Sequence, residues 1–206
     1  EVFKNLNFII KKNSIIGIYG ESGSGKSTLV NLLCGLLNLR EGKILIDEKN
    51  INDVKNSWQS KIGYIPQDIY ILDDSIKNNI IFNNEDNTNI NKDLKNVIDI
   101  SQLNKLIDSL SDGLDTKVGD RGINISGGQR QRIAIARALY HKPDVLIFDE
   151  ATNSLDETTE NNLMDSIYAI KGKTIIIISH NIKTLNRCEK IFKIESKSIQ
   201  EIKKIN

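Results

Sequence analysis

Nine residues, GESGSGKST (Gly20–Thr28), carry the clearest chemistry in this 206-residue chain. Gly20, Gly25, Lys26 and Ser27 stand at the spacing of a phosphate-binding loop. Glycines at such a turn let backbone N–H groups converge on phosphate oxygens, and the following helix start adds a positive dipole end. Glu21, Ser22, Gly23 and Ser24 form the body of the loop, and Thr28 continues into the helix. Lys26 is expected to reach the outer phosphates of a nucleoside triphosphate, and the Ser27 hydroxyl is a hard oxygen suited to magnesium. A chance Gly/Ser turn would not need a strand before it and a helix after it, and both are present.

A second site ends the apolar run VLIFDE (Val145–Glu150). Two acids at the carboxyl end of a buried strand emerge where open α/β sheets place their ligands. Asp149 is the expected magnesium-shell acid. Glu150 stands next to it, able to orient a water. A glutamate of ordinary pKa near 4.3 is a weak base, so its expected role is positioning and late proton acceptance. His180 ends another Ile-rich strand and is expected to bond the terminal phosphate and steady Glu150. Gln67, in IGYIPQD, is expected to offer a neutral oxygen to the metal or the water.

ISGGQ (Ile125–Gln129) opens a helix in an unusual way. Ser126 and Gln129 fit a capping box, in which each side chain satisfies an orphan amide. Gly127 and Gly128 weaken a first turn, so the pattern implies that something approaches the bare backbone there.

These groups need strand ends to hold them. Short apolar runs occur at Ile15–Tyr19, Ile44–Ile46, Ile62–Ile65, Val145–Phe148, Thr174–Ile178 and Ile191–Ile194. Their continuity and Ile content predict parallel strands covered on both faces. Leu29, Leu32, Leu33, Leu36 and Leu37 predict one amphipathic helix after the loop. From about Asp73 to Gly113 the chain is polar, with helical spacing and no strand run, and Asn83–Asp93 reads as a solvated loop or helix start. The expected fold is α/β, with a parallel-sheet core (1–70 and 141–206) and an inserted helical subdomain (about 71–140). Lys193–Asn206 reads as a strand and a short charged tail.

Composition is that of an ordinary soluble domain: 39% hydrophobic, 27% charged, net charge +1. Near-neutral charge supplies no argument for a nucleic-acid partner. Cys34 and Cys188 make neither a metal spacing nor a disulfide framework, which suits a reducing compartment. The start at Glu1, inside a patterned segment, predicts a piece of a longer protein.

Taken in order, these motifs closely resemble the nucleotide-binding domains of ABC transporters, over nearly the whole chain. Gly20–Thr28 resembles the Walker A motif of a RecA-like P-loop NTPase core, Gln67 the Q-loop, Ser126–Gln129 the signature motif and VLIFDE the Walker B. Asn153–Asp156 resembles the D-loop, with Asp156 its acid, and His180 the H-loop. The resemblance implies ATP and Mg2+, with Ser27, Gln67 and Asp149 toward the metal. It implies ATPase chemistry through Glu150, His180 and Gln67. It also implies a head-to-tail pair, in which Ser126, Gly127, Gly128 and Gln129 face the ATP of a second nucleotide-binding domain.

Asp115–Gly122 resembles the exporter X-loop, with Asp120 for the usual glutamate. Asp73–Phe82 resembles the exporter TIxENI segment, with Ser75 and Asn79 as departures. These imply an exporter's transmembrane domain, fused N-terminally, and a place at the cytoplasmic face of the membrane. The adenine-stacking aromatic is expected upstream of residue 1. A DNA-repair or translation-associated ATPase is the alternative, but Gly35–Gly122 lacks the sustained heptads of the former and nothing shows the second cassette of the latter. The transported substance is not written in these residues.

Overall fold

The computed structural model of the chain describes residues 2–4, 6–82, 90–120, 123–151 and 157–202. In chain order the elements run β1 (Ile15–Tyr19), α1 (Lys26–Leu33), β2 (Leu45–Ile46), β3 (Lys49–Asn50), α2 (Lys55–Gln59) and β4 (Ile62–Ile65). Then come β5 (Asp74–Ser75), α3 (Ile76–Ile81), α4 (Ile90–Ile100), α5 (Asn104–Asp108), β6 (Lys117–Val118) and α6 (Gly127–Tyr140). The last are β7 (Val145–Asp149), α7 (Glu157–Tyr168), β8 (Thr174–Ser179), β9 (Lys190–Glu195) and β10 (Ser198–Ile202). The packing divides the chain into two compact units.

The first unit comprises Glu1–Tyr64, Pro143–Glu150 and Lys171–Asn206. Its sheet has the strand order β10-β9-β1-β8-β7-β4. β1 runs parallel to both β8 and β9, and β7 parallel to β8. Every residue of β7 and β8 is buried, which is why both read as unbroken apolar runs rather than alternating ones. Ile16, Ile18, Val145, Ile147, Ile176, Ile178 and Phe192 form one core cluster with Leu29 and Val30 of α1.

Three elements of this unit differ from the expected ones. The Leu-striped helix does not extend to Leu37. It ends at Leu33, because Gly35 takes φ +66 and the chain closes in a Schellman turn, with Leu36 N donating to Asn31 O (2.8 Å) and Gly35 N to Leu32 O (3.0 Å). Trp58 Nε1 and Gln59 Nε2 of α2 donate to the Leu33 and Cys34 carbonyls at 2.7 and 3.1 Å, so the helix end is fully satisfied. Leu36 and Leu37 lie exposed beyond it. The run Ile44–Ile46 does not join the parallel sheet either; β2 and β3 form a separate two-residue hairpin. The supposed charged tail contains β10, antiparallel to β9.

The second unit comprises Ile65–Lys142 and Ala151–Ile170. It is built on α6, which packs on α3 and α4, and α4 in turn packs on α7. Its core draws on Ile76, Ile80, Leu94, Val97, Ile133 and Ile135. The stretch Asp73–Gly113 is not wholly free of strands, since it holds β5, which pairs antiparallel with β6 just beyond it. Ala151–Ile170 belongs with this unit, where the sequence reading kept it with the sheet. Part of the expected Asn83–Asp93 loop, residues 83–89, lies outside the described residues; Ile90 onward is α4.

Candidate phosphate-binding site

In the first unit the parallel register brings three strand ends level. Tyr19 of β1 faces Ser179 of β8, and Asp149 of β7 faces Ile178. The residues leaving those ends are Gly20, His180 and Glu150, so the sheet delivers the loop, the imidazole and the acid to one edge.

The loop is tight. A Cβ on Gly20 would stand 2.5 Å from Ser24 Oγ and 3.2 Å from the Ile194 carbonyl, so a side chain there would push the Ser24 hydroxyl aside and crowd the backbone. Gly25, the residue before α1, takes φ +105, a conformation that side chains disfavour. Ser24 Oγ is buried with no hydrogen-bond partner among the described residues. An orphaned hydroxyl inside a Gly-rich loop at a helix start is the observation that fits a phosphate oxygen there.

Lys26 is 7% exposed. Its Nζ donates to the Gly20 and Glu21 carbonyls at 2.8 and 2.9 Å, and pairs with Glu150 Oε1 at 3.2 Å. Glu150, 12% exposed on its side chain, also meets His180 Nδ1 through Oε2 at 3.1 Å, while His180 is 54% exposed. Glu150 takes φ +49, unusual for a residue with a side chain, while its N–H donates to Ile178 O at 3.0 Å. That sharp exit from β7 turns the carboxylate between Lys26 and His180. Backbone strain at such a position is commonly held by its surroundings at working sites.

Asp149 is 6% exposed, and burial pushes its carboxyl above the usual range. Its Oδ2 accepts a hydrogen bond from Tyr64 OH at 3.1 Å, which works in the opposite direction. The nearby Glu150 charge adds to the rise. Ser27 is exposed on the first turn of α1. Two hard oxygens, Ser27 Oγ and an Asp149 carboxylate, suit magnesium, which takes few protein ligands and completes its shell with phosphates and water. Among the described residues no group of three or more His, Cys, Asp or Glu could hold a metal by itself.

The structure thus brings together Gly20–Thr28, Asp149, Glu150 and His180. Gln67 and the signature residues belong to the second unit. There Ser126 Oγ accepts from Gln129 N at 3.2 Å and Gln129 Oε1 accepts from Ser126 N at 2.7 Å, so the capping box is present. Ser126 itself is exposed. Asp156 and Asn153 lie outside the described residues, as do Arg121 and Gly122 of the X-loop-like stretch. No motif in the sequence singles out Tyr64. The alternation of IGYI, which sets Tyr64 apart from the buried Gly63 and Ile65, was the available signal.

The family model described as ABC transporter matches residues 3–153. The chain is 41% identical over 197 residues to a Rickettsia prowazekii (strain Madrid E) protein named for export, ATP binding and permease function, covering 95% of this chain and 34% of that protein. It is 36% identical over 200 residues to an ATP-dependent lipid A-core flippase of Pasteurella multocida (strain Pm70), covering 96% and 34%. A solved bacterial Atm1-family ABC exporter with ATP bound superposes with a TM-score of 0.90 at 33% identity, covering 97% of this chain and 35% of that one. The chain therefore spans about a third of the length of the relatives it matches.

Proposed function

Because the chain belongs to the ABC transporter family, we propose that it is the ATP-hydrolysing motor of an exporter. The supporting observation is the placement of Glu150, held between Lys26 and His180 at the end of β7. In this reading the triphosphate lies along Gly20–Thr28, with Ser24 Oγ and the backbone N–H groups on its oxygens. Lys26 exchanges Glu150 for the outer phosphates. Glu150, released, orients the attacking water, and His180 steadies both. Magnesium, when bound through Ser27 and Asp149, supplies charge neutralisation at the outer phosphates. Gln67 is assigned to the metal or the water by family membership, as Asp156 is to the D-loop.

No site is complete in one copy on this reading. Ser126, Gly127, Gly128 and Gln129 face the terminal phosphate bound by a second nucleotide-binding domain, where two glycines allow the close approach. Hydrolysis then separates the pair and drives a transmembrane domain at the cytoplasmic face of the membrane. Among the described residues no helix is long and apolar enough to cross a membrane. The names of the relatives favour export over repair or translation roles.

The test is Glu150→Gln in the presence of ATP and magnesium. Gel filtration is expected to show a nucleotide-dependent dimer, because binding is kept and hydrolysis is lost. A monomer at micromolar concentrations with nucleotide bound contradicts the proposal.

A further inference from the structure

Tyr64 has a partly exposed side chain and an engaged hydroxyl. It lies on β4, the strand beside β7, and is 37% exposed, yet its O–H reaches Asp149 Oδ2 at 3.1 Å. A tyrosine hydroxyl often finds some acceptor, and for a ring locked in a core that contact would be incidental. Here the side chain is only partly buried, so core packing alone does not fix the geometry.

Asp149 itself needs the contact. It is a buried acid beside a second carboxylate, Glu150. The cation nearby, Lys26, spends its donors on Gly20 O, Glu21 O and Glu150. Among the described residues the hydrogen bond to the Asp149 carboxylate comes from Tyr64 alone. A lysine or arginine in that place would hold the acid as well, but it would compete with a divalent cation for the same charge. A neutral phenol orients the carboxylate without cancelling it.

We propose that Tyr64 is a positioning residue for metal binding: its hydroxyl fixes Asp149 Oδ2 and leaves Oδ1 for magnesium. The inference rests on the assignment of Asp149 to the metal made above. Partners of this kind, which orient a metal ligand from behind, are worth roughly tenfold or more in metal affinity.

The experiment titrates manganese(II) into the full chain with a non-hydrolysable ATP analogue, reading free manganese by electron paramagnetic resonance. Tyr64→Phe removes one oxygen from a partly exposed ring, and its thermal unfolding midpoint is expected to fall modestly, because the buried Asp149 carboxylate loses its donor while the fold is kept. Manganese affinity is expected to fall roughly tenfold, while analogue affinity measured in EDTA is unchanged. In an Asp149→Asn background, where the hydroxyl has no carboxylate to orient, Tyr64→Phe is expected to change manganese affinity no further.

Unaltered manganese affinity in Tyr64→Phe overturns the proposal. So does an equal loss of analogue affinity with and without metal, or a further loss in the double variant, because either marks a structural role. If Asp149→Asn alone leaves manganese affinity intact, the metal assignment falls and this inference falls with it. Loss in Asp149→Asn without loss in Tyr64→Phe removes Tyr64 only.

Discussion

At the residue scale, Glu150 does two things that oppose each other. In the role proposed above it orients a water, and meanwhile it occupies Lys26 at 3.2 Å. In a nearly buried pair of this kind each charge depends on the other or on a replacement ligand, because little water reaches either. Glu150→Gln is therefore expected to lower phosphate release by about 100-fold or more. In the absence of magnesium the same variant is expected to bind ATP about three- to tenfold more tightly, equivalent to ~0.7–1.4 kcal/mol, as Lys26 is freed. Weaker binding by calorimetry would show that the pair does not compete with phosphate. Below Asp149, burial and that acid's charge push the Cys34 thiol from 9.0 up to about 11. Between those values the unfolded chain gives up a proton that the folded chain keeps. Stability from this group is thus fully present below pH 9.0 and lost as pH rises toward about 11, at up to about 1.4 kcal/mol per pH unit. Cys34→Ala is expected to flatten that part of the curve in denaturant titrations; an unchanged alkaline slope contradicts it.

At the element scale, α6 is secured to α3 by a neutral hub. Asn79, fully buried, accepts from Leu72 N at 2.8 Å and from Arg137 at 2.9 Å through Oδ1, and donates through Nδ2 to the Leu72 and Ser75 carbonyls at 3.0 Å each. A carboxylate could not make those two donations, which gives a physical reason for Asn where the exporter pattern that Asp73–Phe82 resembles usually has Glu. Arg137 also donates to Asn79 O at 2.7 Å and Tyr70 O at 3.0 Å, and its guanidinium lies 5.4 Å from the Phe82 ring centre. Asn79→Leu fills the same space and orphans several groups, so a loss of about 3 kcal/mol is expected in urea unfolding. A change below ~1 kcal/mol would mean that water replaces the amide. This hub was illegible in the sequence, because its partners lie up to 58 residues apart. The loop at Gly20–Thr28 was legible, since strand, turn and helix are consecutive and each is specified locally. The end of α1 was not, because Trp58 and Gln59 complete it from another helix. β10 was missed for a related reason: SIQEI is half polar and becomes a strand only by pairing with β9. Tyr64 needed Asp149, 85 residues on, to acquire a role.

At the scale of the whole molecule, the sheet-based unit supplies Lys26, Asp149, Glu150 and His180, while Ser126 caps a helix of the other unit with its hydroxyl exposed. The reading proposed for the family makes these the two halves of one site, contributed by two copies. Ser126→Ala removes a cap worth about 1 kcal/mol to α6, so a stability measurement alone cannot report on the second role. Mixing can. A Lys26→Ala chain and a Ser126→Arg chain, each inactive alone, are expected to recover turnover together, because the mixed pair holds one intact site. No recovery would mean that each copy needs its own Ser126.

The most direct measurement is ATP turnover per chain as the concentration of the wild-type chain is raised from nanomolar to micromolar. Turnover per chain should climb with concentration and level off as pairs saturate. A value that stays constant across the whole range would show that a single copy hydrolyses ATP unaided, and the shared site would be wrong.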